Sequence, residues 1–131
     1  MGPGRWGVPA VLVALLLVGG CAPSPRSGQA REAALAFAAA DPASACALLA
    51  PATLEAVERD RPCPEELAAD NLPASGEVTR VEIAGNGAQV KLGDQTLFLA
   101  LFDDGWRITA AGCSHAGDDP AEPYDCTVKG G

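Results

Sequence analysis

His115, Asp118 and Asp119 bring the one imidazole of this chain together with two carboxylates at short spacing. An imidazole nitrogen and carboxylate oxygens are donors that a divalent cation accepts. Three donors from one short Gly/Ala/Pro-containing loop, in a chain with a single histidine, are a thin set. An exposed loop is the expected reading, and no metal or cofactor is assigned. Candidates for general acid/base chemistry are His115, Asp41, Tyr124 and the acids of the loops. Asp41 precedes Pro42, the pattern of an N-cap followed by a first-turn proline. Tyr124 lies between Pro123 and Cys126 and reads as a ring packed under the chain's tail. Gly-x-Ser-x-Gly, His-Glu-x-x-His and P-loop patterns are absent from the sequence. A nucleophilic cysteine would need a reduced thiol beside a base. No catalytic residue is expected, and the chain does not read as an enzyme.

Those residues must be placed in a compartment. An apolar run from Val8 to Val18, preceded by Arg5, ends in Gly19, Gly20 and Cys21. This is the layout of a secretory signal with a cysteine at its cleavage site. Val18-Gly19-Gly20-Cys21 resembles the lipobox of bacterial lipoproteins, in which the cysteine receives a diacylglycerol group. The rivals are an ordinary cleaved signal, for which Ala10, Ala14 and Gly20 offer other sites, and an uncleaved membrane helix. The apolar run is far shorter than the roughly 20 residues a bilayer core requires. The expected organisation is a signal peptide over 1–20, a lipidated tether over 21–28 and one domain over 29–131. The resemblance implies a protein held by its lipid to the outer face of the bacterial cytoplasmic membrane.

Charge agrees with an anchor of that kind and not with nucleic acid. The full chain has 9 Lys and Arg against 17 Asp and Glu, a net charge of −8. Removal of residues 1–20 takes away only Arg5, leaving −9. An acidic domain is repelled by an anionic leaflet, so lipid must hold it there. Nucleic acid calls for clustered Lys and Arg.

Five cysteines become an even set once Cys21 is lipidated. Cys46, Cys63, Cys113 and Cys126 are then available for disulfides in an oxidising compartment. Four cysteines allow three pairings, of which local pairing, Cys46–Cys63 and Cys113–Cys126, is the simplest. Their spacings do not suit a zinc knuckle.

The first half of the domain reads as helical. Gln29–Ala40 is alanine-rich, a second helix starts at Asp41-Pro42 and runs through Leu48 and Leu49, another starts at Pro51, and a short one starts at Pro64. The second half changes to period two over 77–84, 88–92, 95–102 and 106–110. Gly85-Asn86-Gly87, Gly93-Asp94 and Asp103-Asp104-Gly105 supply hairpin turns. Four strands in an antiparallel meander, covered by helices, make an α+β domain.

The order of these elements, with Phe98-Leu99-Ala100-Leu101-Phe102 followed by Asp104-Gly105-Trp106-Arg107-Ile108, resembles the small NTF2-like (cystatin-like) lipoproteins of high-GC Gram-positive bacteria. Ala45-Cys46-Ala47-Leu48-Leu49-Ala50-Pro51, Ala110-Ala111-Gly112-Cys113 and Pro123-Tyr124-Asp125-Cys126 extend the likeness. The resemblance implies a curved sheet with a cone between helices and strands. It does not imply one activity, because the wider fold includes enzymes, carriers and adaptors.

The strand over 95–102 is apolar on both faces. Cover by the curved sheet and the tail is the expected reading of this strand, and the core is the expected place of Trp106. The alternative is a contiguous surface of Leu97, Leu99 and Leu101, with Trp106 beside the cone, as a contact region for a second copy, a partner protein or an apolar ligand. The expected function is non-catalytic binding by a lipid-anchored extracytoplasmic domain. The alternatives are a small isomerase- or hydrolase-like enzyme acting in the cone and a structural subunit of a membrane complex. Oligomeric state is not encoded in any pattern of the sequence.

Overall fold

Ser24 caps the first helix: its side chain accepts from the Ser27 backbone N–H at 3.3 Å, and Pro25 follows with its fixed φ. The computed structural model describes Gly4, residues 24–115, Gly117 and residues 122–130. The signal segment, Cys21, Asp118 and Asp119 lie outside the described residues. Helix α1 spans Pro25–Ala39, so residues 25–28 belong to the helix and not to a tether. Ala30, Ala34 and Phe37, spaced along one helical face, are buried.

Asp41 caps α2 (Pro42–Cys46), its carboxylate accepting from the Ser44 N–H at 3.3 Å. This helix is shorter than expected, because the chain at Leu48–Ala50 turns to pair with the sheet. Helices α3 (Pro51–Val57) and α4 (Cys63–Asp70) follow. Glu65 and Glu66 occupy the positive first turn of α4, and Asn71 ends it in the left-handed region at φ 46°. The Cys46–Cys63 disulfide joins the last residue of α2 to the first of α4.

The sheet is an antiparallel meander of five strands in sequence order, β1 (Val78–Ala84), β2 (Gly87–Leu92), β3 (Gln95–Phe102), β4 (Gly105–Ser114) and β5 (Asp125–Lys129). The three expected turns join β1 through β4. The expectation of four strands is corrected to five. The tail pairs with β4 through Ala111↔Val128 and Cys113↔Cys126, and the Cys113–Cys126 disulfide lies across that pair. Five residues with two apolar side chains carry little local signal, and pairing with β4 supplies the rest. Below β5, the edge of β4 is taken by the α2–α3 connection. Ala50 N–H donates to the Ile108 carbonyl at 2.8 Å, and Ile108 N–H donates to the Leu48 carbonyl at 2.9 Å.

Beyond Thr96 the β3–β4 register shifts, and Gly112 sits at φ +63°. A Cβ at Gly112 would lie 2.8 Å from the Leu72 side chain and 3.0 Å from that of Thr127, so glycine suits both the backbone and the space. One apolar cluster fills the space between helices and sheet, including Phe37, Leu49 and Leu67 from the helical half and Val90, Leu97, Leu99, Trp106 and Ile108 from the strands. Val81 and Ile83 pack against it but are only half-buried, because β1 is an edge strand with a neighbour on one side.

Candidate functional site

Alternation along a strand sends successive side chains to opposite faces. Register then fixes which face is which. Val90 pairs with Leu97, Ala88 with Leu99, and Leu99 with Ile108, so these residues share the helix-facing side. Leu97, Leu99 and Trp106 are 0%, 3% and 8% exposed, and Leu101 is half-buried against the same cluster. The candidate contact surface of Leu97, Leu99, Leu101 and Trp106 is therefore part of the core. The helices cover it, since burying the leucine face of β3 leaves only Phe98 and Phe102 as large apolar side chains on the other.

The opposite face is chemically different. Two cross-strand rows run over it: Arg80, Lys91, Thr96 and Cys113 in one, Glu82, Gln89, Phe98 and Ala110 in the other. The chain after β4 brings His115 to this face, and the approach to β5 brings Tyr124. The Tyr124 ring meets Phe98 edge-on with centroids 5.1 Å apart, and His115 meets Tyr124 at 4.5 Å. Such edge-to-face contacts are favoured by the ring quadrupole. Gln89 Nε2 donates to the Tyr124 hydroxyl at 2.8 Å.

Of these residues, all but Phe98 and Ala110 line a groove of about 710 Å³ that also takes in Asp94 and Ser114. Its walls carry cations from Arg80 and Lys91, carboxylates from Glu82 and Asp94, and an aromatic floor. Arg80 and Glu82 form an exposed ion pair, which contributes little to stability and leaves both groups within reach of a ligand. Tyr124 is packed as expected. His115 is half-buried against it, not on an exposed loop. Polar residues at alternate positions, Arg80/Glu82 and Gln89/Lys91, were the available signal for this groove. That alternation does not show what closes the groove, which is the return of the chain at Tyr124.

A second depression of about 350 Å³ lies between α3, α4 and β5, with Asp60, Glu66 and Asp70 on its wall beside Arg59 and Lys129. Desolvation, and then the neighbouring Glu66 carboxylate, hold the Asp70 carboxyl above its ordinary pKa. At the sheet's other end, Arg107 donates to Asp104 and to the Ala47 carbonyl. Its hydrogen bond, and then its charge, hold Asp104 below the usual carboxylate range. The hydrogen bonds of Asp41 to the first turn of α2, led by those from Ser44, do the same there.

Among the described residues, no cluster of three His, Cys, Asp or Glu side chains is arranged to hold a metal ion, and no helix is long and apolar enough to cross a membrane. Comparison with known proteins finds no matching family model, no matching curated protein and no matching solved structure.

Proposed function

We propose that this chain is a lipid-anchored extracytoplasmic binding domain, held through Cys21 at the outer face of the bacterial cytoplasmic membrane, that takes its ligand in the groove on the open face of its sheet. The groove carries the reading. Its volume of about 710 Å³ falls within the roughly 300–1,000 Å³ of ligand sites. Charges of both signs around the Tyr124 and His115 rings, which meet edge-on with Phe98 behind Tyr124, suit a partner segment or small molecule with donors, acceptors and an apolar part. This differs from the apolar ligand that the leucines of β3 suggest in isolation. Helices followed by an antiparallel sheet are the arrangement that the resemblance to NTF2-like lipoproteins implies. Two disulfides suit an oxidising compartment. The enzyme alternative asks for acid/base groups between helices and sheet, where Phe37, Leu97, Leu99, Trp106 and Ile108 meet, so binding is favoured.

A native mass spectrum of the protein extracted from membranes in mild detergent tests both halves of the reading. The expected species carries lipid on Cys21 and a retained molecule or protein, and the Tyr124→Ala and Lys91→Glu variants lose the latter. A protein without lipid overturns the anchor. A retained partner unaffected by both variants overturns the groove.

A further inference from the structure

If the chain is anchored through Cys21, the position of α1 decides which end of the domain meets the membrane. Four residue-to-residue steps separate Cys21 from Pro25, the first residue of α1, and they span at most about 14 Å. The N-terminal end of α1 sits at the β1–β2 turn, where Arg26 Nη1 donates to the Gly85 carbonyl at 3.1 Å. That turn is joined to the end of β3, because the Asn86 carbonyl accepts from Leu101 N–H at 2.7 Å. The meander places the β3–β4 turn at the same end of the sheet. Phe102 lies there, 40% exposed, on the rim that the anchor must approach.

The other end of the domain is fixed in the same way. The C-terminal turn of α1 lies near Leu72 and Pro73, and the Pro73 carbonyl accepts from Gln95 at the start of β3 at 2.9 Å. The 15 residues of α1 rise about 22 Å, and β3 runs about 23 Å from Gln95 to Phe102. Helix and strand therefore reach between the same two ends. Lys91, Asp94, Thr96, Ser114, His115 and Tyr124 of the groove all belong to the end remote from Phe102.

We infer that the rim formed by the β1–β2 and β3–β4 turns rests on the lipid bilayer, with Phe102 at the headgroup–acyl boundary, so that most of the groove lies toward the end of the sheet away from the membrane. The inference rests on the anchor proposed above. A phenyl ring suits a shallow apolar contact at that boundary. Arg26 adds a cation at this rim, while Asp103 and Asp104 oppose deep entry beside anionic lipids. Contact is therefore shallow and is set by the anchor.

The test uses the mature lipidated chain, from Cys21 onward, in phosphatidylcholine–phosphatidylglycerol vesicles containing brominated acyl chains, with lipid on Cys21 verified by mass. The Phe102→Trp variant is expected to show a blue-shifted emission and to lose intensity to the bromines. Asp103→Trp at the same rim is expected to be quenched as well. His115→Trp at the opposite end should match the parent, whose Trp106 is buried. Quenching of Phe102→Trp and Asp103→Trp no greater than the parent's, in protein that carries the lipid, overturns the orientation and leaves the anchor standing. Quenching of His115→Trp instead reverses the orientation. Absence of lipid on Cys21 overturns anchor and orientation together.

Discussion

Gln89 of β2 holds the hydroxyl of Tyr124, 35 residues later in the chain, through a hydrogen bond of 2.8 Å. It ties the approach to β5 across the open face of the sheet, over Phe98, and gives the groove its floor. Tyr124→Phe keeps the ring and loses the bond, and should cost about 1 kcal/mol. Tyr124→Ala also loses the contacts with Phe98 and His115 and should cost about 2–3 kcal/mol. Urea unfolding of Tyr124→Phe, Gln89→Ala and the double variant would measure this. The double variant should be less destabilised than the sum of the singles, because both remove one bond.

Gln95, 4% exposed, uses both ends of its amide. It donates to the Pro73 carbonyl at 2.9 Å and accepts from Gly112 N–H at 3.0 Å, joining the α4–β1 connection to the irregular part of β4. Gln95→Leu preserves approximate volume but strands both backbone groups, at a cost of about 2–4 kcal/mol. Chemical denaturation should show the midpoint falling with little change in slope.

Each disulfide closes a short loop, with sequence separations of 17 and 13. Replacing either pair by alanine should cost about 3 kcal/mol in the chain-entropy picture. Thermal unfolding of the Cys46→Ala/Cys63→Ala and Cys113→Ala/Cys126→Ala variants would test this. A reductant should lower the midpoint of the parent by more than that of either variant.

Asp70 gives stability a distinct dependence on pH. Its carboxyl has a raised pKa in the folded state, so the folded protein binds that proton more tightly than the unfolded chain does. The charged form is therefore a cost at neutral pH, and the cost is relieved as pH falls through the folded value toward the ordinary value of about 4. Asp70→Asn should raise the melting temperature at pH 7 and lose its advantage below about pH 4. Asp41 and Asp104 act in the opposite sense. Their folded pKa values are depressed, so their contributions are present above the ordinary carboxylate value and fade as pH falls below it. Asp41→Ala and Asp104→Ala should therefore matter at pH 7 and much less in acid.

The strand alternation, the glycine turns and the proline-led helix starts are local signals, and they sufficed for an α+β chain with a meander joined by tight turns. Local spacing also sufficed for the simplest disulfide pairing, which the structure contains. The helical start over Pro25–Gly28 is harder to read, because Pro, Ser and Gly have weak helix propensity. The cap of Ser24 and the Arg26–Gly85 contact help to place those residues in α1.

Which face of β3 is buried was not readable, since both faces are apolar. Strand register decided it, by setting Leu97 beside Val90 and Leu99 beside Ala88 and Ile108 on the side that α1 covers. Strand β5 likewise depends on Cys113 and Ala111 of β4, and the groove on Tyr124 returning to Gln89. Composition and short-range spacing thus determined the elements and their order. Long-range pairing decided what they bury and what they present, because a side chain's exposure depends on neighbours distant along the chain.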